Sequence, residues 1–394
     1  MSNQSRDELR FKEDPDFLEH LYRQVWLRNG ASPEHADAVA RAVSFGDRFG
    51  KINQGLGVFE AIDITFQNGT LDIKATPELV DEGPTWAVYE GHRSSGHWVL
   101  TMATKKAMEI ASRMGMGMAM ARNHNDAGCF AAYTTMAMEQ GMVCIATNNS
   151  LRLVAPWGGR ENIMSGAPFS AASPGGEETP IIMDTAAIEA YDADVSEAYF
   201  AGTKMQAGKV LVDPDTGELS DDPAPFIEVL DGYSRQADNR AATAFKSPKL
   251  YALNCLTEVL STLMVPEATI SPDLPHPIAA WMEPQDVGSV GGSCVLVIDP
   301  SKFGPLAGMQ DRSDRFVRAV KGAKRRPGVD EIFMPGERGW KQAQGGGPVD
   351  VLRAHWDAFA ETAATAGLDV DAERRSFLAD KRWRSQAGEQ GASA

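Results

Sequence analysis

The chain has 394 residues, with 38 Lys+Arg against 54 Asp+Glu and a formal net charge of -16 at pH 7. That balance excludes nucleic acid and anionic membrane as main partners, because both need clustered positive charge. The length exceeds one ordinary domain, so two or three packed units are expected.

The opening MSNQSRDELRFKEDPDF has no apolar segment of the signal-peptide kind, and no run of roughly 18 apolar residues follows anywhere. A cytoplasmic location is expected. Phe17, Leu18, Leu21, Val25 and Trp26 fall at helical spacing within Asp16 to Gly30, and Ser32-Pro33-Glu34 opens a second helix with an N-cap and an N1 proline. Gly91 to Met114 reads as a turn and a helix, with His97 where the helix begins. GMGMAM at Gly115 to Met120 is not GxGxxG, so spacing alone reveals no dinucleotide site.

Arg122 to Gly159, RNHNDAGCFAAYTTMAMEQGMVCIATNNSLRLVAPWGG, combines a polar loop, a small-residue helix, a buried strand and a glycine turn. A polar loop after a strand and before a helix is where open α/β sheets bind ligands. In an extended loop, residues two apart face the same way, so His124 and Asp126 are expected to enter one pocket. A carboxylate there would raise the imidazole pKa. Either residue is a candidate acid/base.

Further on, VLVDPDTGELS has the turn of an exposed hairpin. Pro248 to Met264 reads as an amphipathic helix with Leu253, Leu256, Val259, Leu260 and Leu263 inward. GGSCVLVIDP, Gly291 to Pro300, has the apolar run of a central strand, and the tail returns to helices. Helices, a β-rich middle and helices again point to a discontinuous helical domain around a sheet domain. The expected bounds are 1–75 for the first helical part, 76–310 for the α/β domain and 311–394 for the second helical part. Cys129, Cys144, Cys255 and Cys294 stand singly among apolar neighbours, which favours free thiols, and no His/Cys spacing indicates a metal.

RNHNDAG, the helix ending MEQGM, Asn149-Ser150 and APWGGRE resemble the non-Rossmann, second family of malate/L-lactate dehydrogenases, which includes ureidoglycolate and sulfolactate dehydrogenases and cyclic imino acid reductases. The similarity runs from about Asp47 to Trp340. It implies a three-layer α/β/α fold with a mixed sheet, a non-Rossmann dinucleotide-binding domain, NAD or NADP as cofactor, a small-molecule substrate and a homodimer. By the same resemblance Ser150, Asp184-Thr185-Ala186 and Lys249 contact the cofactor.

The substrate positions depart from the family's pattern. Asp126 stands where the family has its proton-exchanging histidine. DRFGKINQG, Asp47 to Gly55, places Asn53 and Gln54 where the family has serine and a substrate-site histidine, and Val58 stands where it has a carboxylate-binding arginine. The glycines after the family's lysine are Leu250 and Ala252 here. Gln54, Asn53 and His97 are expected to orient the substrate. The expected activity is hydride transfer to or from a hydroxy, oxo or imino compound, not malate or lactate; a diverged hydratase, lyase or ligand-binding protein is the alternative.

Overall fold

The computed structural model describes residues 10–191, 194–195, 198–199, 202–213, 215–224, 227–230, 233–236, 242–245, 247–276 and 283–391. The chain divides into two compact units, one of Met1–Asp63 with Lys341–Ala394 and one of Ile64–Trp340.

The first unit is mostly helical. Asp14 accepts the Asp16 N–H and opens α1 (Pro15–Arg28), and Ser32 accepts the His35 N–H to open α2 (Pro33–Arg48), each with proline in the first turn. The apolar stripe of α1 is buried at Phe17, Leu18, Leu21, Tyr22, Val25 and Trp26. Tyr22 stacks on Phe59 of α3 (Val58–Gln67), with 4.7 Å between ring centroids, and Phe59 meets Phe359 edge-on. Strands β1 (Arg10–Glu13) and β16 (Val349–Leu352) pair antiparallel and bring the two ends of the chain into one unit.

The second unit holds a seven-stranded mixed sheet. Its order is β2 (Glu78–Glu82), β3 (Trp86–Glu90), β4 (Met116–His124), β15 (Val290–Ile298), β5 (Val143–Asn148), β8 (Pro168–Ser173) and β9 (Ile181–Ala186). Only β3 and β4 run parallel. Against one face lies α4 (Gly96–Met114), so close that a Cβ on Gly117 would sit 2.3 Å from the Ala107 carbonyl oxygen. Beside it, α5 (Ala131–Met138) reaches β8 through the Thr134 and Ser170 hydroxyls. Against the other face, Val88, Met120 and Cys294 pack on Val265 and on Leu260, which lies beyond α6 (Pro248–Glu258) in a π-type turn, Val259–Leu263. The sheet is thus the middle of three layers. A second sheet joins β11 (Leu219–Ser220), β10 (Leu211–Val212), β14 (Ala242–Ala244), β6 (Arg152–Ala155) and β7 (Met164–Ser165) in that order. Its β10–β11 pair is the hairpin read from the sequence. A separate hairpin joins β12 (Ile227–Leu230) to β13 (Tyr233–Gln236).

Two expectations need correction. Residues 311–340 belong to the sheet unit, because Asp314 of α7 (Leu306–Lys321) accepts the backbone N–H of Gly176, Glu177 and Glu178 at the turn before β9. The face of α6 is also turned over. Leu256, Val259 and Leu263 are exposed, while Asn254, Thr257 and Ser261 are buried. A Cβ on Gly292 would lie 2.1 Å from the Ser261 carbonyl oxygen, so the backbones approach too closely for large inward side chains. The hydroxyls of Thr257 and Ser261 are satisfied by the carbonyls of Asn254 and Thr257.

Candidate functional site

The end of β4 and the loop after it are set by side-chain amides. Asn123 adopts φ +51, its Oδ1 accepts the Gly288 N–H at 3.0 Å and its Nδ2 donates to Glu90. Asn125 donates to the Arg93 carbonyl at 2.7 Å and accepts from Ser289 N–H. Gly96, opening α4, donates its N–H to the Asp126 carbonyl, and a Cβ there would be 2.3 Å from the Asn125 carbonyl oxygen. The loop is therefore held by backbone-level contacts on two sides.

His124 is fully buried. Its Nδ1 lies 2.7 Å from the Asn125 carbonyl oxygen and its Nε2 lies 2.7 Å from Ser293 Oγ. A carbonyl only accepts, so Nδ1 carries the proton and Nε2 accepts from the serine hydroxyl. Burial pushes its pKa down to about 4, against smaller upward effects of the Asn125 carbonyl and Glu90. The expected raised pKa and shared pocket with Asp126 are not what the structure has. β4 ends at His124 and Asn125 is bound to Arg93 and Ser289, so strand alternation does not reach Asp126, which is exposed while His124 is enclosed. Asp126 instead accepts the Gly128 N–H at 2.6 Å.

From this loop a second set of contacts leads to β9. Tyr133 of α5 donates its hydroxyl to the Ala127 carbonyl at 2.6 Å, and the Cys129 thiol donates to Asp184 Oδ2 at 3.2 Å. Burial first, then the nearby Asp126, Cys129 and Asp184, push the Tyr133 pKa well above the ordinary range. Asp126 and Asp184 thus flank one buried tyrosine.

Two of the segments expected to hold cofactor, the end of β9 and the start of α6, meet. Asp184 is half-buried and Thr185 exposed on β9, while Ala186 is buried against Val154, Ile188 and Phe245. Leu250 and Tyr251 of α6 pack on the same cluster. Lys249 is exposed in the first turn of α6, behind the N-cap Ser247. Asn254 then donates to both the Ser165 and Ala187 carbonyls, at 3.0 and 3.2 Å, tying α6 to β7 and to the end of β9. Ser150, half-buried, follows Asn149, whose Oδ1 accepts the Gly291 and Gly292 N–H groups. Beside it the buried Asn148 Oδ1 has no hydrogen-bond partner among the described residues.

His97 is fully buried in the first turn of α4, where Ser95 is the cap. In the helical unit Asn53 is exposed and Gln54 half-buried, with Gln54 Oε1 enclosed and unbonded among the described residues. Their turn is pressed onto α2, since a Cβ on Gly46 would meet the Gln54 carbonyl at 2.4 Å and one on Gly55 would meet Asp47 Oδ1. Val58 is buried. Sequence reasoning passed over Asp47 itself. It is buried, accepts from Leu56 N–H and the Tyr22 hydroxyl, and burial raises its pKa to about 7 against those donors and Arg48. Its place at the head of DRFGKINQG was the only available signal. Among the described residues no cluster of three or more His, Cys, Asp or Glu has the arrangement of a metal site. No helix there is long and apolar enough to cross a membrane.

The model of a family described as malate/L-lactate dehydrogenase matches residues 14–357. Malate dehydrogenase of Pyrococcus horikoshii is 24% identical over 348 residues, 85% of this chain and 89% of that protein. The Delta(1)-pyrroline-2-carboxylate/Delta(1)-piperideine-2-carboxylate reductase of Pseudomonas syringae pv. tomato is 27% identical over 323 residues, 81% and 86% of the two chains. The solved structure of sulfolactate dehydrogenase from Methanocaldococcus jannaschii matches with a TM-score of 0.79 at 23% identity, covering 92% of this chain and 99% of that one. That likeness establishes the fold.

Proposed function

Since this chain belongs to the malate/L-lactate dehydrogenase family, we propose that it is an NAD(P)-dependent oxidoreductase that transfers a hydride to or from a hydroxy, oxo or imino compound other than malate or lactate. The relatives are dehydrogenases and reductases, which supports a redox role. The observation that carries the reading is the meeting of the end of β9 and the start of α6 through Asn254 and Leu250. A nicotinamide cofactor would supply the hydride-exchanging carbon. Thr185 and Lys249 are exposed and Ser150 half-buried, all three fit its polar groups, and the unbonded Asn148 Oδ1 fits an amide N–H.

Reduction of a carbonyl or imine also needs a proton donor at the heteroatom. Asp126 takes that part as the exposed titratable side chain of the loop, its carboxylate accepting the proton in the oxidative direction and returning it in the reductive one. His124, with both nitrogens engaged and its neutral form favoured by burial, positions the loop. Gln54 hydrogen-bonds a carbonyl or hydroxyl without exchanging a proton near neutral pH, and Asn53 and His97 are proposed as further orienting groups. With apolar Val58 at the family's arginine position, malate, L-lactate and ureidoglycolate are expected to be poor substrates. The same reading carries a cytoplasmic homodimer.

Titration of the pure protein with NADH and with NADPH, followed by nicotinamide fluorescence, tests the proposal. Saturable binding of either supports it. Absence of binding of both at millimolar levels leaves the hydratase, lyase or ligand-binding alternative.

A further inference from the structure

Arg152 opens β6 and Ser165 closes β7, and the two stand directly opposite each other in the antiparallel register. Opposed residues in such a pair send their side chains to the same side, with Cβ atoms about 4.5–5.5 Å apart. Ser165 is 1% exposed, yet among the described residues its Oγ has no hydrogen-bond partner. Arg152 Nε is likewise enclosed and unbonded, and no described carboxylate pairs with its guanidinium.

Leaving a buried donor unmade costs roughly 1–3 kcal/mol, and more when it is charged. Two such groups side by side on neighbouring strands form a donor pair lacking an acceptor. The surroundings hold them in place. Asn254 donates to the Ser165 carbonyl, fixing the β7 backbone against α6. Met164, the neighbour of Ser165, packs with Leu153 and Leu250 on the apolar cluster, so the strand cannot turn to offer Ser165 another partner.

We propose that Arg152 and Ser165 form a subsite for an oxyanion, a phosphate or carboxylate group of a bound ligand, with the guanidinium fork on two oxygens and the hydroxyl on one of them. Guanidinium is the group suited to such planar, two-point recognition. The subsite does not rest on the redox reading, because a lyase or a ligand-binding protein would hold an anionic ligand in the same way. Ser150 is two residues before Arg152, so a dinucleotide phosphate is one source and a substrate carboxylate the other.

Thermal unfolding of the full-length protein in inorganic phosphate, sodium malonate and sodium chloride at equal ionic strength tests the subsite and separates the sources. A saturable rise in Tm is expected with one oxyanion and not with chloride. Stabilisation by phosphate alone assigns a phosphate group, and stabilisation by malonate assigns a carboxylate. Arg152→Gln should weaken the apparent affinity about tenfold or more, Ser165→Ala two- to fivefold and Arg152→Lys by an intermediate factor. No saturable rise, or a rise of undiminished affinity in Arg152→Gln, overturns the proposal. Should Arg152→Gln fail to fold, the ranking of Arg152→Lys and Ser165→Ala against wild type decides it: weakened binding in both supports the subsite, and unchanged binding in both overturns it. NADH and NADPH titrations in parallel keep a failed subsite distinct from a failed redox reading.

Discussion

His124 in the sheet unit and Asp47 in the helical unit are both buried ionisable side chains, and the two are solved in opposite ways. In the sheet unit, His124 is neutral and complete, since its one N–H and its one lone pair both have partners. In the helical unit, both Asp47 oxygens accept hydrogen bonds, an arrangement that suits the anion, yet burial outweighs the donors and lifts the pKa to about 7. The difference is that a buried imidazole can be satisfied entirely in its neutral form, whereas a carboxyl surrounded by donors is left poised between two forms. It also explains why the histidine of the polar loop serves as an anchor and leaves proton exchange to a neighbour that meets solvent.

Linkage gives the two groups opposite pH windows. The folded pKa of His124, about 4, lies below its ordinary 6.5, so its contribution is complete above 6.5 and is lost as pH falls toward 4. The folded pKa of Asp47, about 7, lies above its ordinary 3.8, so its contribution is complete below 3.8 and is lost as pH rises toward 7.

The sharpest way to break the comparison is at the exposed member of the loop. Asp126→Asn is expected to cost roughly 10² to 10⁴ in turnover with nicotinamide binding retained, as for loss of a general acid/base. Steady-state rates beside a fluorescence titration check it, and turnover within threefold of wild type would remove Asp126 from the chemistry. In the helical unit, Asp47→Asn should abolish an alkaline loss of stability of roughly 4 kcal/mol between pH 4 and 7. Denaturant midpoints at pH 5 and pH 8 decide this, an unchanged pH slope being the contrary result. His124→Ala should destabilise the sheet unit by about 3 kcal/mol, because it strips partners from Ser293 and Asn125 and opens a cavity. Hydrogen exchange in β4 and β15 would register the loss, and full protection there would contradict the anchoring role. Leu256→Ser, on the exposed face of α6, should move stability by no more than about 0.5 kcal/mol. A loss several times larger, read from the same denaturant midpoints, would return that leucine to a buried face.

Much of this was legible from sequence because local chemistry decided it. The cap at Ser32 with the proline after it and the hairpin at DPDTG each stand where short-range rules put them. What escaped the reading was set by close backbone approach. Leu256, Val259 and Leu263 look inward on any helical wheel, and only the proximity of Gly292 to Ser261 makes the small polar face the buried one. The alternation linking His124 to Asp126 stops with the strand at His124, because the next residue, Asn125, is bound to distant partners at Arg93 and Ser289. Arg152 drew no notice because an unpaired buried donor is a property of surroundings, not of a motif.

The protonation state of His124 bears most directly on the account, and ¹⁵N NMR of histidine-labelled protein reads it, with His124→Gln to assign the resonance. The account predicts a neutral imidazole carrying its proton on Nδ1, unchanged from pH 8 down to pH 5 and titrating only near pH 4. An imidazole that titrates between pH 6 and 7, or carries its proton on Nε2, would contradict it and return His124 to the role of acid/base.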